Sequence, residues 1–140
     1  FSNKAWVEAE RYHFLDFISS QSTMHKLNKF KIADQCNAYV DQRVIDVLQE
    51  LVDEYNGLLE RQKNGENIPV EAVKTARLKM LYNTPAGFEL TAGMTTNYQQ
   101  LKTIYQQRRH HALPDWQVFC DWVETLPRFL ELTQKEENNA

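Results

Sequence analysis

The chain has 140 residues and a mass of 16.5 kDa, the size of one domain that buries roughly two-thirds of its unfolded surface. Hydrophobic residues at 42% and charged residues at 25% exclude a disordered or fibrous chain, and a net charge of −3 excludes a general nucleic-acid binder, which carries a broad basic face. No apolar run reaches membrane-span length and no basic-then-apolar leader is present, so the expectation is a cytoplasmic protein that uses neither membrane nor nucleic acid and has room only for a local cationic pocket.

The chain opens at Phe1 rather than Met, so further residues are expected upstream. Ser2 suits the cap of a first helix that counts Trp6, Val7, Phe14, Phe17 and Ile18 among its apolar positions. The hydroxyl-rich run Ile18-Ser19-Ser20-Gln21-Ser22-Thr23 competes with helical backbone bonding and reads as a turn or loop. Asp41 opens the clearest helix, where Val44, Val47, Leu48, Leu51, Val52, Tyr55, Leu58 and Leu59 hold a helical period until Asn64-Gly65. Pro69 is placed for the first turn of another helix, with Val73, Ala76, Met80 and Leu81 on one face and Asn83-Thr84-Pro85 as its stop.

Phe88, Leu90, Ala92 and Met94 alternate with polar or small residues, the period of a half-buried strand. Its partner is not evident; the missing N-terminal segment, Phe30-Lys31-Ile32 or another subunit would have to pair with it. Thr96 suits a cap for the next helix, which reads to His110 or His111. Pro114 opens a helix through Trp116, Phe119, Cys120 and Val123, Pro127 starts a short last one, and residues 135–140 read as a disordered tail. The fold class is therefore α+β, a mostly helical single domain over residues 1–134 with a small sheet. Cys36 and Cys120 follow no metal or redox spacing and read as reduced core thiols. His13, His25, His110 and His111 form no ligand spacing, so no metal site is expected. Glu8 and Glu10 read as a solvated face.

The strand-to-helix junction carries the chemistry. Asn97 and Arg108 lie eleven positions apart, which on a helix is about 20° around the axis and about 16 Å along it. Leu101, Ile104 and Tyr105 fall between them on the same face. Two readings follow. Either the stripe lines a cleft in which Arg108 grips a carboxylate or phosphate, or Asn97 makes a local capping bond and Arg108 pairs with a neighbouring acid.

The order from Asp41 to Leu132 resembles the C-terminal half of flavin-dependent thymidylate synthases. The matching stretches are Val70-Glu71-Ala72-Val73-Lys74-Thr75-Ala76-Arg77-Leu78, then Phe88-Glu89-Leu90-Thr91-Ala92-Gly93-Met94-Thr95-Thr96-Asn97, then Tyr105-Gln106-Gln107-Arg108 and Asp115-Trp116-Gln117-Val118. The resemblance implies FAD as cofactor, dUMP as substrate, and a homotetramer whose sites are shared between subunits. It implies that Arg108 binds the nucleotide phosphate and that Asn97 belongs to the flavin environment. Gln99 stands where the family usually carries a second arginine, and the resemblance places it on the nucleotide side with Arg108.

The family's Arg-His-Arg signature, followed by a serine, falls here on Leu15-Asp16-Phe17 or on Arg11-Tyr12-His13, and neither preserves it. Under the second alignment Arg11 and His13 stand in toward the flavin and Ser20 toward the nucleotide, with the serine one residue out of register. The expected function is a nucleotide- or flavin-binding protein, up to a divergent dUMP-methylating enzyme. The alternatives are a non-catalytic relative that acts as a structural or assembly protein, and a helical interaction module outside the family.

Overall fold

The computed structural model describes residues 1–12, 16–20 and 26–134, with the backbone alone for 16–20 and 134. The chain packs as two compact units, one built from Phe1, 3–19 and 92–140, the other from Ser2 and 20–91.

In the second unit a 3-10 turn, Leu27–Lys29, and a short helix α2, Ile32–Gln35, precede the long helix α3, Gln42–Lys63. Asp41 starts α3 as expected, because its carboxylate accepts the Arg43 N–H and so satisfies a free donor of the first turn. The helix stops where Gly65 takes φ 90°, a left-handed angle that glycine adopts without steric cost. Pro69 sits at the cap of α4, Val70–Tyr82, one position earlier than the first turn expected of it. Leu48 and Val52 of α3 and Met80 of α4 bury together with Leu27, Ile32 and Phe88, with Leu51 and Tyr55 packed against them, so the middle of the α3 period read from sequence faces the core; Val44 and Val47, expected in the same stripe, are exposed, and Ile45 packs inward in the first turns instead. Phe88 and Glu89 make isolated antiparallel bridges to Cys36 and Ser2.

The first unit carries α1 (Asn3–Ala9), β1 (Asp16–Ser20, its last residue assigned to the other unit), β2 (Ala92–Thr95), α5 (Tyr98–Arg108), α6 (Pro114–Glu124) and α7 (Phe129–Gln134). The first helix ends at Ala9 rather than continuing through Phe17 and Ile18, which lie in β1; Phe14 lies outside the described residues. The segment read as a loop at Ile18-Ser19-Ser20 is the end of that strand, and β1 is the partner of β2 in a two-stranded sheet. Strand pairing satisfies the backbone groups of this run, and that requirement overrides the turn preference of its serines.

The strand expected over Phe88 to Thr95 is regular only from Ala92. Pro114 occupies the first turn of α6 as expected. Ile104, Ala9 and Trp116 bury in one cluster, and Leu101, Val123 and Phe129 in another. The expected tail, 135–140, lies outside the described residues.

Candidate functional site

The chain leaves β2 through Thr95-Thr96 and enters α5 at Asn97. Asn97, not Thr96, is the cap: in extended backbone its Oδ1 accepts the Gln100 N–H at 3.0 Å. Thr96 Oγ1 instead donates to Gln100 Oε1 at 2.7 Å. Leu101 and Ile104 point the buried side of α5 inward, and Arg108 closes the helix on that side.

The Arg108 guanidinium has a full set of neighbours. Its Nη1 donates to Glu8 Oε2 at 3.0 Å, its Nε to the Tyr12 hydroxyl at 2.8 Å, and its Cζ lies over the Trp116 ring, 4.9 Å from the ring centre. Neither hydrogen bond uses Nη2. The Arg108 and Glu8 side chains are only 16% and 15% exposed, so water screens this pair weakly.

Glu8 is the centre of the cluster. The same Oε2 accepts the Trp116 indole N–H at 2.9 Å and lies 3.4 Å from His111 Nε2. His111 Nδ1 accepts the Leu113 N–H at 3.1 Å, which leaves the hydrogen of a neutral imidazole on Nε2, facing the carboxylate. Tyr12 in turn donates its hydroxyl hydrogen to Gln107 Oε1 at 3.0 Å. Gln117 holds the turn after α5 by donating to the His111 carbonyl at 2.6 Å. Chemically this is an oxyanion-holding set, with guanidinium and indole donors converging on one carboxylate oxygen and the His111 ring beside it.

Next to it Arg109 pairs with Asp121 at 2.7 Å and Glu124 at 3.3 Å, and the Tyr105 hydroxyl donates to Glu124 at 2.6 Å. That bond, with burial added, holds the Tyr105 hydroxyl above its ordinary range. Arg108 and Arg109 are thus both engaged by acids rather than forming an open basic rim.

Of the residues singled out from sequence, Arg108 alone enters the cluster. Asn97 and Gln99 are exposed on α5, and Arg11 is exposed just beyond α1. Ser20 ends β1, where only the backbone is described, and His13 lies outside the described residues. Sequence reasoning missed Glu8, read as a solvated acid, although Ala5, Glu8, Ala9 and Tyr12 fall at i, i+3, i+4 and i+7, the spacing of one helical stripe. It also missed Trp116 as a hydrogen-bond donor. Among the described residues no group of histidine, cysteine and acidic side chains could hold a metal ion, and no helix is long and apolar enough to cross a membrane.

No family model matches the chain, and no curated protein matches it. Among solved structures it is similar to the crystal structure of thymidylate synthase X (ThyX) from Helicobacter pylori with FAD and dUMP. The similarity covers 95% of this chain and 66% of that one, at a TM-score of 0.60 and 14% sequence identity. The fold is therefore the mostly helical α+β arrangement of ThyX with a minimal sheet. The chain spans just under two-thirds of the length of that relative, and the likeness at this identity is one of fold.

Proposed function

We propose that this chain is a nucleotide-binding protein in the ThyX fold, with the Arg108 end of α5 holding the ligand's phosphate. The observation that carries this reading is the convergence of Arg108, the Trp116 indole N–H and His111 Nε2 on one carboxylate oxygen. Such a donor set suits any small oxyanion. The choice of a pyrimidine nucleotide is supported by the eleven-residue step from Asn97 to Arg108 and by the ThyX relative, which was solved with dUMP. Glu8 acts as an internal anion there, so an incoming phosphate competes with it.

FAD was bound in that ThyX structure, whereas Asn97 and Arg11, the described residues expected toward a flavin here, stand outside the Arg108 cluster. Asn97 Oδ1 caps α5, and Arg11 is exposed just after α1. Flavin binding, and with it methylation of dUMP, is therefore the outer limit of the proposal rather than its centre. The proposal includes a cytoplasmic location and a homo-oligomer, in keeping with sites shared between subunits in the resembled family. A solution mass equal to one chain at high concentration would remove the oligomer.

The deciding experiment is calorimetric titration of dUMP into the protein, Glu8→Gln and Arg108→Ala. The expected result is saturable binding by the unaltered chain, at least tenfold tighter binding by Glu8→Gln, and none by Arg108→Ala. The visible absorbance of the purified protein reports flavin in the same samples. Absence of dUMP binding in both the unaltered chain and Glu8→Gln overturns the reading.

A second reading then stands: a non-catalytic relative in which the cluster is a structural tie. The near-complete enclosure of Glu8 and Arg108 favours it.

A further inference from the structure

All three tryptophans of the chain, Trp6, Trp116 and Trp122, line one cavity of about 280 Å³ in the first unit. The cavity lies among α1, β2, α5 and α6. Trp6 stands on α1, Ala92 and Met94 come from β2, and Trp116 and Trp122 belong to α6. The rings brace one another. Phe1 packs 5.0 Å from Trp116, edge to face, and 5.1 Å from Trp6. Phe119 lies 5.8 Å from both Trp116 and Trp122. Small side chains, Ala92 among them, make the room.

We infer that this cavity is a binding site for a small, flat, uncharged aromatic molecule. The chemistry of the wall selects the ligand. Thr96 is the one hydroxyl-bearing residue of the lining, and its hydrogen already goes to Gln100. The Trp116 N–H is committed to Glu8. A charged ligand entering there would lose its hydration and find no side chain of opposite charge in the lining. An apolar ring loses nothing comparable and gains offset or edge contacts to the surrounding indoles, which favour ring partners over aliphatic ones. An enclosed apolar cavity of about 150 Å³ already admits benzene. Here the volume fits one or two fused rings. Trp122, 52% exposed, forms the outer wall and leaves a way in. The cavity shares the Trp116 ring with the nucleotide reading, but its lining includes neither Arg108 nor Glu8, so Arg108→Ala, which abolishes the nucleotide site, is expected to leave indole binding within about twofold.

The test uses 15N-labelled protein and unlabelled indole as probe. The three tryptophan side-chain N–H signals report the cavity walls individually. All three are expected to shift saturably with one common dissociation constant. Ala92→Leu, which fills the cavity from β2, is expected to weaken binding at least tenfold, and tryptamine, the cationic analogue, to bind at least tenfold more weakly than indole. Trp122→Ala gives a second variant that removes the outer wall without touching a buried position, and it is expected to weaken indole binding by a similar factor. The inference is overturned if none of the three signals shifts saturably up to the solubility of indole. It is equally overturned if whichever variant keeps the native spectrum binds indole as the unaltered chain does.

Discussion

Glu8 and Arg108 are a hundred residues apart in sequence and meet at 3.0 Å. The pair ties α1 to the end of α5, and the Trp116 indole, donating to the same carboxylate, adds α6 to the tie. Removing the acid leaves a cation and an indole N–H without their shared acceptor. Glu8→Ala is expected to lower stability by roughly 1–3 kcal/mol. Replacing both members, as in Glu8→Ala with Arg108→Met, is expected to cost less than the two single changes added together. Urea unfolding of the four proteins of the cycle measures the coupling. A coupling of zero would mean that the two side chains do not support each other.

Asn97 offers a cleaner separation of cap from ligand group. Asn97→Ala removes the acceptor of the Gln100 N–H and is expected to cost about 1 kcal/mol. Asn97→Asp, which keeps the acceptor and adds a negative charge at the helix N-terminus, is expected to retain stability. Thermal melts of both variants check this. Stability unchanged in Asn97→Ala would show that the capping bond contributes nothing measurable.

The contrast between Asn97 and Glu8 shows what the sequence made legible. A cap is a local pattern, a short polar side chain just before a periodic apolar run, and its reading needs no knowledge of the rest of the chain. The α3 stripe from Leu48 to Tyr55 and the Pro114 helix start were legible for the same reason, whereas Val44 and Val47, which keep the period, lie exposed on α3. Glu8 differs because its partners arrive from residues 108, 111 and 116. No spacing near Glu8 announces them, and only its place between the buried Ala5 and Ala9 hints that it faces inward. β1 was hidden similarly. Its serines carry a turn preference, and only the pairing with β2, more than seventy residues later, makes the run a strand.

Gly87 tests the second unit. A Cβ placed there would collide with Val40 Cγ2 and stand 2.8 Å from Asn37 Oδ1. Val40 is β-branched and turns about χ1 with difficulty. Asn37 is held by its own N–H, which donates to the Gly87 carbonyl at 3.0 Å, and its Oδ1 accepts the Tyr39 N–H at 3.1 Å. Neither side chain yields without losing a contact, so Gly87→Ala is expected to destabilise by roughly 1–3 kcal/mol. Chemical denaturation gives the value, and an unchanged midpoint would mean that the 37–40 turn gives way freely.

Alkaline pH should weaken the fold through three groups that share one sign. Burial pushes the Cys120 and Cys36 thiols above the ordinary value of 9.0, and the Glu124 bond, with burial, lifts the Tyr105 hydroxyl above 10.0. In each case folding favours the protonated form. Their contribution is fully present below the unfolded values and is lost as pH rises through the folded ones. Melting temperature is therefore expected to fall steadily from about pH 8.5 to about pH 11, with a shallower fall in Cys120→Ala once its lower starting stability is subtracted. Thiolate content follows the same direction: at about pH 8 Cys120, fully buried, should resist iodoacetamide until the chain unfolds, while Cys36, only half-buried, reacts slowly in the folded protein. Rapid alkylation of Cys120 in folded protein would show that α6 opens far more often than the burial of its Trp116, Cys120 and Val123 implies.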